Sequence, residues 1–116
     1  MKDTLDRFHI SATGLSINYM PEYVGRELGF FEELGLNVTS YVPKPWTTVL
    51  TDINTNQAEA VVGGIWCPLI YKHRSTDYYA FAKVASRCPM SLLAHEPNDN
   101  FKWTDLEGKK VLTSGG

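Results

Sequence analysis

PEYVGRELGFFEELGLNV, residues 21–38, predicts a helix that turns sharply into a β-strand. Pro21 suits the first turn of a helix, because its ring fixes φ and it lacks the N–H that would be unpaired there. Val24, Leu28 and Phe31 follow at i, i+4 and i+7, so this apolar face is predicted to be buried, with the glutamates and Arg26 covering much of the rest.

Two glycines and a change of period shape the second half of this stretch. Gly29 weakens the helix in its middle and predicts that FFEEL forms a separate turn, whereas Gly35 suits the left-handed residue that ends a helix. Leu36 to Val42 then alternates with period 2, which predicts a strand whose Leu36, Val38 and Val42 share one face. A helix–strand corner of this kind is typical of an α/β fold.

Composition narrows the class of protein. The 116 residues are 43% hydrophobic with a net charge of −2, which fits one domain or a piece of a larger one. No apolar run approaches the roughly 20 residues of a membrane-spanning helix. Without a basic stripe, nucleic acid is not expected as a partner. Cys67 and Cys88 lack CxxC spacing, so neither zinc nor redox chemistry is predicted, and whether they form a disulfide stays open.

The rest of the chain alternates between strand and helix patterns. A helix capped by Thr47 or Thr48 is predicted to end within residues 54–57, with Asn56 best suited to a left-handed C-cap. A second helix is predicted from about residue 65 to His73, with one helical turn near Trp103. The predicted strands are Arg7–Ala12, Leu36–Val42, a central buried Ala60–Val62, Tyr78–Ser86, Met90–Ala94 and Lys110–Thr113. This order predicts an α/β fold with an open, mostly parallel sheet and helices on both faces.

The carboxyl ends of these strands carry the candidate ligand-binding residues. The link from Thr13 to Met20 is longer than the usual βα connection of about 2–6 residues, and open α/β sheets bind ligands at this edge. The candidates supply hydroxyls, an amide, indoles, backbone N–H groups and a guanidinium: Thr13, Gly14, Ser16, Asn18, Trp46, Gly64, Trp66, Ser86 and Arg87. Such a mixture suits a small polar or anionic solute, with Arg87 able to pair with a carboxylate, sulfonate or phosphate.

No catalytic, metal or cofactor site is predicted. The three histidines stand apart from cysteines and carboxylates, and Gly63-Gly64 is not part of a GxGxxG or P-loop motif. The start, MKDTLDRFHIS, has no apolar secretory segment. We therefore expect either a cytoplasmic protein or one whose signal was removed.

Three segments together resemble a known family. GRELGFFEELGLNV, NQAEAVVGG and WTDLEGKKVLTSGG resemble, in order and spacing, landmarks of type 2 periplasmic-binding-protein-like domains. Within that class they are similar to the solute-binding proteins for aliphatic sulfonates, nitrate and thiamine-pyrimidine precursors. The chain departs from the family pattern at Asn56, where glycine is usual, and at Glu59, where aspartate is usual.

The resemblance implies two α/β lobes that close around a small polar, anionic or heteroaromatic solute. Residues 1–108 would form the first lobe and residues 109–116 the start of the crossover into a second lobe. Ser114 and Gly115 would offer backbone N–H groups to the solute. The partners implied are ABC permease subunits, through which alone the protein would meet a membrane. The location implied is periplasmic or otherwise extracytoplasmic, or cytoplasmic if the start is native.

Two other functions occur on the same fold. One is a thiamine-pyrimidine synthase, which has a lysine and a histidine just after the third strand, where this chain has Gly64, Trp66 and Pro68. The resemblance therefore favours a protein that is not an enzyme. The other is the ligand-sensing domain of a transcription regulator, which shares the architecture.

Overall fold

A computed structural model describes residues 4–72, 76–87 and 91–112 of the chain. Three parallel strands form one sheet in the order β2-β1-β3, with β1 at Asp6–Ala12, β2 at Leu36–Tyr41 and β3 at Ala60–Val62. The α-helices are α1 at Met20–Glu27, α2 at Val49–Asn54 and α3 at Trp66–Tyr71. Short 3₁₀ helices lie at Ile17–Tyr19, Glu32–Leu34, Trp46–Thr48 and Trp103–Leu106. The α/β fold with a parallel sheet is confirmed, and it is that of one lobe of a type 2 periplasmic-binding-protein-like fold.

Successive side chains of β1 point to opposite faces of the sheet. Ile10 and Ala12 join Val38 and Val62 in a buried apolar cluster, against which Tyr19, Phe31 and other residues pack. Ser11 points to the opposite face, where it contacts Asp52 of α2. Helical segments therefore cover both faces of the sheet. The predicted face of Leu36, Val38 and Val42 is confirmed, since all three belong to the apolar cluster.

The buried face of α1 differs from the prediction. Val24 and Leu28 are 40% and 61% exposed, whereas Glu22 and Gly25 are buried. The helix ends at Glu27, and Gly29 has φ +75°, so the later residues do not continue its rotation. Phe31 reaches the core from outside α1, and a Cβ on Gly25 would lie 2.7 Å from its ring. The prediction that FFEEL forms its own turn is confirmed, with Gly35 left-handed at φ +83°.

Glu22, predicted on the polar face, is buried beside Arg26 of the same helix. The Arg26 Nε and Glu22 Oε1 atoms are 2.7 Å apart. The pair shows that periodicity alone did not identify which side of α1 meets the sheet.

The other predictions about helix ends and turns hold in part. Asn56 is left-handed at φ +57°, as expected of a residue that ends a helix, and Trp103–Leu106 forms the predicted turn. Thr48 does not cap α2, because its hydroxyl donates instead to the Pro45 carbonyl at 2.9 Å. α3 begins at Trp66 as predicted to within a residue and ends at Tyr71; His73 lies outside the described residues.

The later strands are the main correction. β3 pairs with β1 alone among the described residues, so it lies at an edge rather than in the centre of the described sheet. Residues 78–86, 91–94 and 110–112 form no strand, while Met90 and Thr113 lie outside the described residues. An alternating pattern favours extended backbone, but a strand exists only when a neighbour accepts and donates its ladder hydrogen bonds.

No helix in the described part of the chain is long and apolar enough to cross a membrane. No group of three or more His, Cys, Asp or Glu side chains able to hold a metal ion occurs in residues 4–72, 76–87 and 91–112.

Candidate functional site

The strand order places a switch point between β1 and β3. The chain runs from β1 to β2 on one side and returns to the other side of β1 at β3. Open α/β sheets bind ligands in the crevice at such a point, outside the carboxyl ends of the strands. Here the Thr13 N–H donates to the Val62 carbonyl at 3.1 Å, so the segments that follow β1 and β3 leave the sheet side by side.

The segment after β1 is held by hydroxyl groups. The Thr13 and Tyr19 hydroxyls are 2.9 Å apart, and the Ser16 hydroxyl accepts from the Asn18 N–H at 3.2 Å. The Ser16 N–H donates to the Tyr23 hydroxyl at 3.3 Å. Thr13 and Ser16 thus fix the shape of the loop, whereas a Cβ at Gly14 would meet no atom within 4 Å. Tyr19 and Tyr23 were missed in the sequence, where nothing distinguishes them from core tyrosines.

The two glycines after β3 allow close packing within the chain. A Cβ on Gly63 would lie 2.7 Å from Thr13 Cγ2, and one on Gly64 would overlap the Nε1 edge of the Trp66 indole. The Gly64 carbonyl also accepts from the Cys67 N–H at 3.0 Å and so begins α3. A residue with a side chain at Gly64 would displace the indole.

Two predicted indoles meet beside this edge. Trp46, at the start of its 3₁₀ helix, packs edge-to-face on Trp66 of α3, with ring centroids 5.8 Å apart and planes at 86°. They border an open pocket of about 210 Å³ whose lining residues come from the Trp46–Thr48 helix, α2 and α3: Trp46, Thr47, Val49, Leu50, Trp66, Cys67 and Tyr71. Cys67 is a free thiol that is only 4% exposed, and burial raises its pKa.

The remaining predicted site residues do not join this cluster. Ser86 and Arg87 are exposed and do not end a strand, because residues 78–86 form none. Arg87 makes no ion pair among the described residues. Ser114 and Gly115 lie outside the described residues.

Comparison with known proteins identifies the family. A family model described as "NMT1/THI5 like" matches residues 16–116. The chain belongs to the NMT1/THI5-like family. The resemblance seen in the three sequence segments is thereby confirmed.

One curated relative of this NMT1/THI5-like chain is the "Putative binding protein YtlA" of Bacillus subtilis strain 168. It is 28% identical over 113 residues, which cover 96% of this chain and 34% of that protein. The chain therefore spans about a third of the relative's length. No solved structure matches the chain.

A buried polar network in the NMT1/THI5-like lobe escaped the sequence reasoning. The Asp52 carboxylate accepts from the Ser11 hydroxyl at 2.6 Å and from the Tyr41 hydroxyl at 2.5 Å. Burial, followed by the hydrogen bond to Asp52, raises the pKa of Tyr41. The Tyr41 ring stacks on His9, which also contacts the Thr39 hydroxyl across the β1–β2 register. The available signal was Asp52 itself, a carboxylate beside the apolar Val49 and Leu50.

Glu59 connects the amino end of β3 to β1. Its carboxylate accepts from the His9 N–H at 2.5 Å and lies 3.1 Å from the Arg7 guanidinium. Its own N–H donates to the His9 carbonyl at 2.9 Å. The His9 N–H, and then Arg7, lower the pKa of the Glu59 carboxyl, so the acidic residue at this family position supports strand pairing.

Proposed function

We propose that the chain is a ligand-binding lobe of a solute-binding protein that delivers a small solute to an ABC importer. Family membership and the relative named a binding protein support a solute-binding role. Binding by one lobe and closure of a second lobe would let a permease distinguish the loaded from the empty protein.

The observation that carries this proposal is the contact between two indoles that follow different strands of the sheet. Trp46, after β2, and Trp66, after β3, border a pocket between α2 and α3, and the segments after β1 and β3 leave the sheet side by side. Concave sites with apolar walls and a few polar groups are the usual form of small-molecule sites.

Under this proposal, residues 1–108 are the first lobe and residues 109–116 begin the crossover into the second. Ser114 and Gly115 would then approach the solute from the crossover, and Ser86 and Arg87 from the lobe rim. A secretory or lipoprotein signal upstream in the gene would support an extracytoplasmic location.

Two alternatives make different demands on the sequence. A thiamine-pyrimidine synthase is suggested by the family's description, but it needs a lysine and a histidine where Gly64, Trp66 and Pro68 stand. A sensor domain would be joined to a DNA-binding helix-turn-helix in the same gene. Detection of that helix-turn-helix would favour the sensor domain, whereas the three residues present disfavour the synthase.

Thermal unfolding of the longer protein with a panel of sulfonates, carboxylates and heteroaromatic solutes tests the proposal. We expect a ligand to raise the melting temperature of the longer protein far more than that of residues 1–116, because one lobe offers half the contacts. Equal stabilisation of both chains would contradict the two-lobe account.

Alanine variants test the individual residues. Trp66→Ala and Arg87→Ala are expected to weaken binding without unfolding the lobe, whereas Trp103→Ala is a matched control on an exposed indole. A residue whose variant binds normally does not belong to the site.

A further inference from the structure

We infer that Asp52 is a positioning residue for Trp46 of the candidate site. Its carboxylate closes the loop between β2 and α2, which carries this indole, and fastens that loop to the central strand β1. The inference rests on the proposed solute-binding function and deepens it. The position of the indole can nevertheless be measured without a solute.

Asp52 lies on the side of the sheet that α2 covers, beside the ends of two strands. Ser11 of β1 and Tyr41 of β2 are direct neighbours in the strand register, and both hydroxyls donate to the Asp52 Oδ2 atom, at 2.6 and 2.5 Å. Asp52 is only 6% exposed, so little water competes for this oxygen. Two short hydrogen bonds to one charged acceptor therefore fix α2 relative to both strands.

The backbone of Asp52 reaches toward the third strand. Its carbonyl accepts from the N–H groups of Gln57 and Ala58, at 2.8 and 3.2 Å, in the connection from α2 to β3. Isolated helices shorter than about 12–15 residues are marginal in water. Because α2 has 6 residues, its place depends on such contacts, and Asp52 supplies them toward all three strands.

The hydrogen bond from Tyr41 to Asp52 closes a short loop. It joins residues 11 positions apart, and Trp46 lies about midway between them. Pro43 and Pro45 restrict the φ angles within this loop. A short, stiff segment held at both ends has few alternative shapes, so the closure at Asp52 determines where the indole lies.

The indole held in this way meets a ring from another part of the chain. Trp46 packs edge-to-face on Trp66 of α3, with ring centroids 5.8 Å apart. Release of the loop at Asp52 would let Trp46 leave this contact while the strands stay paired. Asp52 does not itself line the pocket beside the indoles, so it acts on the candidate site through Trp46.

Circular dichroism of the 116-residue chain can measure the contact between the indoles. Two indoles packed edge-to-face couple their electronic transitions and give a pair of far-ultraviolet bands of opposite sign, which helices and strands alone do not produce. Trp46→Phe and Trp66→Phe should each abolish this couplet, which assigns it to the pair.

Tyr41→Phe tests the loop closure with the aromatic ring retained. It removes the hydroxyl that donates to Asp52 and keeps the ring that stacks on His9. The couplet should shrink, because loss of one hydrogen bond lowers the ratio of held to released loop about 2- to 10-fold. Tyr78→Phe is the matched control and should keep the couplet, since the Tyr78 hydroxyl donates to Asn54 of the same helix at 3.0 Å but lies outside the closed loop.

Asp52→Asn is the conservative variant. Both hydroxyls donate to the same carboxylate oxygen, so an amide oxygen in its place can accept from both, and this variant should keep the couplet. Thermal unfolding of each variant establishes that couplets are compared between folded chains.

A full couplet in folded Tyr41→Phe, or an equal decrease in Tyr78→Phe, overturns the inference. Because no solute is present, either result leaves the proposed function intact. A longer protein that binds no member of its solute panel would instead refute the proposed function and leave the position of Trp46 as assigned.

Discussion

Replacing Asp52 by alanine is expected to destabilise the chain by about 3–4 kcal/mol. The carboxylate accepts from the Ser11 hydroxyl at 2.6 Å and from the Tyr41 hydroxyl at 2.5 Å, and hydrogen bonds to a charged group contribute about 1.5–3 kcal/mol each, desolvation included. Tyr41 is only half-buried, so water replaces part of its lost bond. Ser11 is 0% exposed, and its hydroxyl would be left without that acceptor.

A double-mutant cycle separates this network from simple loss of packing. Ser11→Ala combined with Asp52→Ala should cost about 1.5 kcal/mol less than the sum of the single variants, because the second change removes the unpaired hydroxyl. Thr51→Ala, at an exposed position of the same helix, is the control and should stay within about 0.5 kcal/mol of the parent.

Urea unfolding followed by circular dichroism measures these free energies of unfolding. For a chain of this size, the Asp52→Ala loss corresponds to a fall of about 12–16 °C in melting temperature. The m-value should stay constant, since the denatured state is unchanged. A loss below about 1 kcal/mol, or strict additivity in the cycle, would refute the assigned role of the buried carboxylate.

Three further outcomes follow from the described contacts. Folding raises the pKa of Tyr41, so the stability that its protonated hydroxyl contributes is complete below the ordinary tyrosine pKa of about 10 and is lost as pH rises through the folded value. In Asp52→Ala, a titration followed by tyrosinate absorbance should show a smaller rise in the Tyr41 pKa. Folding lowers the pKa of Glu59, so the stability that its carboxylate contributes is present above the ordinary glutamate pKa of about 4.3 and is lost as pH falls through the folded value. Urea unfolding of Glu59→Gln should show no such loss of stability in acid. Equal pH profiles for the variant and the parent would contradict the prediction. Gly25→Ala should lower stability by about 1–3 kcal/mol, because its Cβ would meet a phenylalanine ring at 2.7 Å, whereas Gly14→Ala, with open space around it, should not; thermal unfolding of the pair tests the difference.

Local patterns were sufficient to predict the first half of the fold. Residues 7–12, 36–42 and 60–62 were recognised as strands, since alternating or continuous apolar residues match the faces of a buried sheet. The left-handed Gly35 and Asn56 were also predictable, because few other residues adopt that conformation at low cost.

Pairing partners and helix orientation were not predictable in the same way. Residues 78–86 alternate as β2 does, yet they pair with no strand among the described residues. The apolar face of α1 was misassigned because Phe31 packs onto Gly25 from outside the helix. Both outcomes depend on contacts distant along the chain, which a periodic pattern does not record.

Part of the candidate site was predictable from strand order alone. Trp46 and Trp66 were named because both follow strands, and they do meet at 5.8 Å. Arg87 was named for the same reason, but the strand expected to position it does not form. Whether it and the residues beyond the described chain contact a solute stays a prediction.

The sequence by itself determined the class of fold, the family and the edge of the sheet where a ligand is expected, because turn residues, periodicity and ordered segments are local properties of the chain. Only the tertiary structure revealed that β1 lies between its two neighbours, that Ser11 and Tyr41 share the Asp52 carboxylate, and that Gly64 makes room for the Trp66 indole. Most of these features arise where segments far apart in sequence pack against each other. Close packing decides which of them meet.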